Sequence, residues 1–127
     1  PVEDSGTTNI GIVLRNCKEI AGDYEKKLGQ FAIIADHLVD KYQAKLFFIP
    51  FQANSDLTFM REIIKRMKNS SFVFMEQECR PEQILHLYTK LSLIIGMRFH
   101  SIVFAVMKNK PFIAIDYDPK VGNFVND

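Results

Sequence analysis

The sequence predicts an α/β protein built on one parallel, doubly wound sheet, in three layers. Three observations predict it. Short apolar runs recur at 9–14, 45–49, 72–75, 91–95 and 111–115. Between them the apolar residues return every three or four positions, the period of a helix with one buried side. The runs themselves are continuous rather than alternating, as expected of strands covered on both faces. Strands alternating with helices in this way form βαβ units.

Each element has its own local reason. Residues 1–8 are polar with Ser and Gly and read as a linker or tail. Residues 9–14 form strand one, which runs out into Arg15-Asn16-Cys17. Gly22-Asp23 marks a loop, and Asp23 suits the cap of the next helix. Over 24–42, Leu28, Phe31, Ala32, Ile34, Ala35, Leu38, Val39 and Tyr42 trace one inward stripe. Strand two, 45–49, stops at Pro50. Ser55 or Asp56 caps a helix over 57–67, with Met60, Ile63, Ile64 and Met67 inward. Strand three is 72–75. Pro81 suits the first position of a helix over 81–90. Strand four is 91–95, the helix over 98–108 is apolar on most sides and so expected to be buried, and strand five is 111–115.

A chain of 127 residues is one domain by length, here 9–127. The net charge of +1 gives no bulk electrostatic reason to bind nucleic acid. Arg61, Lys65, Arg66 and Lys68 form a short basic cluster that reads as the solvated face of a helix. Cys17 and Cys79 are too far apart for a metal-ligand spacing, so no metal is expected, and free thiols are the plain reading. No apolar run approaches the ~20 residues of a transmembrane helix. The chain opens without an initiator Met and stops abruptly after Asn126-Asp127, which reads as a fragment of a longer protein.

Right-handed crossovers and this alternation favour a Rossmann-like sheet of about five strands in the order 3-2-1-4-5. Ligands then bind at the switch point, outside the carboxyl ends of strands one and four. Arg15 leaves strand one there, and Arg98 and His100 leave strand four. Arginine offers a two-point fork for carboxylate or phosphate, histidine changes charge near neutral pH, and a helix N-terminus adds partial positive charge. Residues two apart do not share a helix face, so Arg98 and His100 converge only if one lies in the turn before the helix, which Gly96 permits. The plainer alternatives are a surface cation at Arg15, a helix cap at Arg98 and a core histidine at His100. Pro50-Phe51-Gln52 with Asp56, and Asp116-Tyr117-Asp118-Pro119-Lys120, also follow strands and either line the crevice or serve as turn chemistry; Tyr117 and Lys120 add polar reach. His37 and His86 fall inside helical patterns and read as structural. No Gly-rich nucleotide fingerprint is present.

The string Ile95-Gly96-Met97-Arg98-Phe99-His100-Ser101, then Phe104-Ala105, Pro111-Phe112-Ile113-Ala114-Ile115 and Tyr117-Asp118-Pro119-Lys120-Val121, resembles the C-terminal part of the polysaccharide pyruvyltransferases. Gly11-Ile12-Val13-Leu14-Arg15 resembles that family's strand ending in arginine, and Ile49-Pro50-Phe51-Gln52 with Asp56 is similar to a further segment. The resemblance implies the donor-binding half of a two-domain enzyme of glycosyltransferase-B-like architecture. Such an enzyme moves pyruvate from phosphoenolpyruvate to a sugar of a cell-surface glycan as a ketal. It implies that Arg15, Arg98 and His100 hold phosphoenolpyruvate, with Phe99 contributing backbone and His100 acting in catalysis. The expected partners are phosphoenolpyruvate, a glycan or lipid-linked sugar acceptor and a missing N-terminal domain. No further cofactor is implied. The expected location is cytoplasmic, with the inner face of the membrane a place such an enzyme could work. The chain alone would be left able to bind donor and yet do no chemistry. Two rivals stand beside this: the donor domain of a nucleotide-sugar glycosyltransferase, and a non-catalytic flavodoxin-like binding domain.

Overall fold

A computed structural model describes residues 8–15, 24–51, 53–77, 79–97 and 99–115. The elements in order are β1 (Thr8–Val13), α1 (Tyr24–Tyr42), β2 (Ala44–Phe48), α2 (Ala53–Arg66), β3 (Phe72–Phe74), α3 (Pro81–Tyr88), β4 (Leu93–Gly96), α4 (Phe99–Met107) and β5 (Phe112–Ala114). All strand pairs are parallel, and the sheet order is β3-β2-β1-β4-β5. This is the Rossmann-like order that the sequence predicts. Thr8, expected in the tail, belongs to β1, and residues 1–7 lie outside the described residues.

The order follows from how the helices cross. From β1 the chain steps outward through α1 and α2 to β3, and those helices pack against each other on one face. From β3 it returns through α3 to the far side of β1, and α3 and α4 share the other face. Two cores result. Ile12, Leu14, Leu28, Phe48, Phe59 and Ile63 form the first, beneath α1 and α2. Val13, Ile49, Ile84, Tyr88, Ile94 and Ala105 form the second, beneath α3 and α4. Each large apolar side chain buried in this way contributes about 1.5–3 kcal/mol. Gly11 sits mid-strand because the second core leaves no room: a β-carbon there would lie 2.8 Å from Leu91 Cδ1.

Several boundaries and faces differ from expectation. The α2 helix starts at Ala53, four residues before the predicted 57, so neither Ser55 nor Asp56 is its cap. Instead the Asp56 carboxylate lies inside the first turn and accepts the backbone N–H of Phe51 at 3.3 Å. On α1, Ile34 is 53% exposed and Tyr42 51% exposed, although the stripe placed both inward. Ile34 is at the stripe's edge, beside buried Ala35, and faces an apolar cleft shared with Ile95 and Ile115. Tyr42 ends the helix in its last turn, where Lys41 Nζ stands 5.5 Å from its ring centroid. The α4 helix is less buried than its composition suggests: Ser101, Ile102 and Ala105 are enclosed, whereas Val106 and Met107 are exposed. Its lower end lies beside the edge strand β5, which has neighbours on one side only. For the same reason Ile113 of β5 is 52% exposed, so the sheet is not covered on both faces over its whole width among the described residues.

The α2 basic cluster is paired on the surface: Arg61 with Glu76, Lys65 with Glu62, and Arg66 with both Glu62 and Glu25. Among the described residues no helix is long and apolar enough to cross a membrane. Nor does any group of three or more metal-ligating side chains occur among them.

Candidate functional site

All five strands deliver their carboxyl ends to one rim. The parallel ladder runs past the strands themselves, since Met97 N–H donates to the Val13 carbonyl at 2.8 Å and Ile49 N–H to the Ile12 carbonyl at 3.0 Å. Ile115 N–H donates to the Gly96 carbonyl at 2.9 Å and Met75 N–H to the Phe48 carbonyl at 3.2 Å. At the β1–β4 step the two chains then leave for opposite faces. That divergence opens the crevice in which doubly wound sheets bind ligands.

Arg15 lies at this opening, two residues beyond the end of β1. It is half-buried, and its Nε is shut off from solvent. On the other wall, Met97 is buried in the α1–α2 core, and α4 begins at Phe99. His100 is in the first turn of α4 and is exposed, so it is not a core histidine. The first-turn N–H groups of α4 have no partners within the helix and carry partial positive charge. The structure thus brings Arg15 and the His100 turn to the same rim. Arg98, the side chain of Phe99, Tyr117 and Lys120 lie outside the described residues, as do Cys17, Asp23 and Asp116. His37 and His86 are exposed on α1 and α3, away from the strand ends.

Behind the start of α4, aromatic side chains from the loop after β2, from α3 and from α4 pack together. Phe51, after β2, lies against Phe104 of α4 at 5.8 Å between ring centroids, and Tyr88 of α3 meets Phe104 edge-on at 6.4 Å. Asp56 is fully buried and holds the Phe51 backbone from below. An acidic residue in the first turn of a helix that follows a strand is a visible signal for Asp56. Nothing in the spacing of Tyr88 announces that its hydroxyl donates to the Ser101 carbonyl at 3.1 Å.

Compared with known proteins, the sequence model for polysaccharide pyruvyl transferases matches residues 3–119, most of the chain. The chain belongs to that family. The match spans all five strands and the four helices between them. No curated protein and no solved structure matches the chain significantly. A polysaccharide pyruvyl transferase is a glycan-modifying transferase.

Proposed function

We propose that this chain is the donor-binding domain of a two-domain pyruvyltransferase, and that phosphoenolpyruvate sits across the β1–β4 crevice. The supporting observation is the convergence of Arg15 and the α4 N-terminus on one rim, inside the segment that the family match covers. Phosphoenolpyruvate carries a carboxylate and a phosphate on adjacent groups. Two arginine forks and a helix N-terminus are the chemical complement of such a pair. In this reading Arg15 and Arg98 take the two acidic groups, Phe99 contributes its backbone, and Tyr117 and Lys120 close the β5 side.

The chemistry follows from the donor. A sugar hydroxyl adds to C2 of phosphoenolpyruvate while C3 takes up a proton and becomes the methyl group. A second hydroxyl of the same sugar then attacks C2, the C–O bond to phosphate breaks, and inorganic phosphate leaves. Both hydroxyl protons are accounted for, one delivered in effect to C3 and one lost to the phosphate or solvent. The products are a cyclic ketal and phosphate, and the donor is activated without any further cofactor. His100, exposed on the first turn, can hold the proton for C3 or stabilise the departing phosphate. The acceptor is a glycan or lipid-linked sugar, presented by the other domain on the cytoplasmic side, at the inner face of the membrane.

The nucleotide-sugar alternative would draw on an acidic group for a ribose. Glu76, one candidate, is held by Arg61 at 3.2 Å beyond β3. The test is to replace His100 by Gln in the full-length enzyme and follow phosphate release with acceptor present. Turnover should fall by about 100-fold or more, the usual weight of one general acid–base group. Unchanged turnover would remove His100 from the chemistry.

A further inference from the structure

We infer that Tyr88 is a positioning residue for the proposed donor site: its hydroxyl clamps the first turn of α4, and His100 with it, onto the end of β4. The inference rests on the donor reading given above.

Tyr88 ends α3 and is completely buried. Its hydroxyl donates to the Ser101 carbonyl at 3.1 Å. That carbonyl lies in the first turn of a regular helix, where it already accepts the N–H four residues on. The tyrosine therefore supplies a second donor to an oxygen that α4 itself satisfies. A phenylalanine would fill the same core volume, so the bond to α4 is what the hydroxyl adds. Burial pushes the Tyr88 phenol above its ordinary range, which keeps it protonated and a donor at any physiological pH.

A second contact seats the same turn from the sheet side. Ser101 is fully buried over Gly96, the last residue of β4. A β-carbon on residue 96 would overlap the Ser101 hydroxyl and come within 3.2 Å of the Ser101 Cβ. Because residue 96 has no side chain, Ser101 can sit directly on the end of β4. Phe104, one turn further along α4, is gripped between Tyr88 and Phe51. The first turn of α4 is held from α3 and from β4, and the next turn from α3 and the loop after β2. His100 projects from the first turn into solvent at the rim. Displacement of a binding or acid–base group by about 1 Å can cost roughly 100-fold in rate, so a fixed turn has catalytic weight.

The experiment is Tyr88→Phe in the full-length enzyme, with Tyr42→Phe, an exposed tyrosine on α1, as control. Loss of one buried hydrogen bond should raise the KM for phosphoenolpyruvate about tenfold and leave the KM for the acceptor unchanged. A merely structural role would lower the active fraction and move neither KM, and that result would overturn the inference. Gly96→Ala should raise the same KM by lifting the turn, and adding Ser101→Gly should bring it back toward the wild-type value. In the ligand-free protein, the His100 ring resonances should move in Tyr88→Phe and stay in place in Tyr42→Phe. Unmoved resonances would overturn the positioning claim even where phosphoenolpyruvate binds. Moved resonances in a protein that ignores phosphoenolpyruvate would uphold the positioning and sink the donor reading.

Discussion

Among the described residues, two end helices in a backbone conformation that favours glycine. Gln43, after α1, has φ of 52°, and Asn109, after α4, has φ of 54°. Asparagine tolerates the left-handed region, and at Asn109 the turn is closed by Lys110 N–H on the Ala105 carbonyl at 2.8 Å. Glutamine has no such compensation. Gln43→Gly should therefore stabilise the protein by about 0.5–1 kcal/mol, measured as a higher midpoint in urea. A lower midpoint would mean that the Gln43 side chain contributes more than its backbone strain costs. At this scale the sequence is informative where residue type alone carries the physics, as with arginine at a strand end. It is silent where a pairing joins distant positions. Tyr88 looks like one more core aromatic until Ser101 lies beside it, and Gly96 looks like a turn glycine rather than a seat for a serine hydroxyl.

The elements are held in register by side chains that reach across them. Asp36 of α1 accepts the backbone N–H groups of Lys68 and Asn69, at 2.9 and 3.0 Å, and the Asn69 side-chain amide at 3.1 Å. It thereby pins the turn between α2 and β3 to α1. Partial burial alone would raise the Asp36 carboxyl, but these donors outweigh it and hold it below its ordinary value of 3.8. A lowered native value means that the unfolded chain binds the proton first. The stabilisation is complete above the ordinary value and is lost as the pH falls through the native one. Asp36→Ala should cost about 1 kcal/mol at neutral pH, and the difference from wild type should shrink as the pH drops below the ordinary value. A difference independent of pH would show that packing, not the carboxylate, ties the turn. Periodicity placed α1 at its observed bounds, because nineteen residues supply enough turns to define a stripe. It misplaced the start of α2, because Asp56 reads as a cap from the sequence and works from within the first turn. It overestimated the burial of α4, because an apolar helix beside an edge strand has only one face to bury.

Over the whole molecule, strand order was legible because alternation and crossover handedness leave few choices. The switch between β1 and β4 then follows, and with it the place where a ligand should sit. Arg15 and His100 follow β1 and β4, two strands that the sheet order makes neighbours. Phe51 and Asp56 stand out after strand two in the sequence, whereas the contact of Phe51 with Phe104 exists only once the loop after β2 meets α4. The same topology leaves an apolar cleft between α1 and the β4–β5 edge, bordered by Ile34, Leu38, Ile95 and Ile115. It is the one expectation of scale that failed: continuous apolar strands implied full cover on both faces, and Ile113 remains half exposed.

The central claim is that a guanidinium from the end of β1 and the first turn of α4 grip one small donor that carries both a carboxylate and a phosphate. Calorimetric titration of the full-length protein with phosphoenolpyruvate tests it most directly, with the Arg15→Ala protein alongside. Saturable binding that weakens by about 100-fold in Arg15→Ala is the predicted result, the weight expected of a charge-assisted two-point contact. Equal affinity in the two proteins, or binding of a nucleoside diphosphate in place of phosphoenolpyruvate, would contradict it.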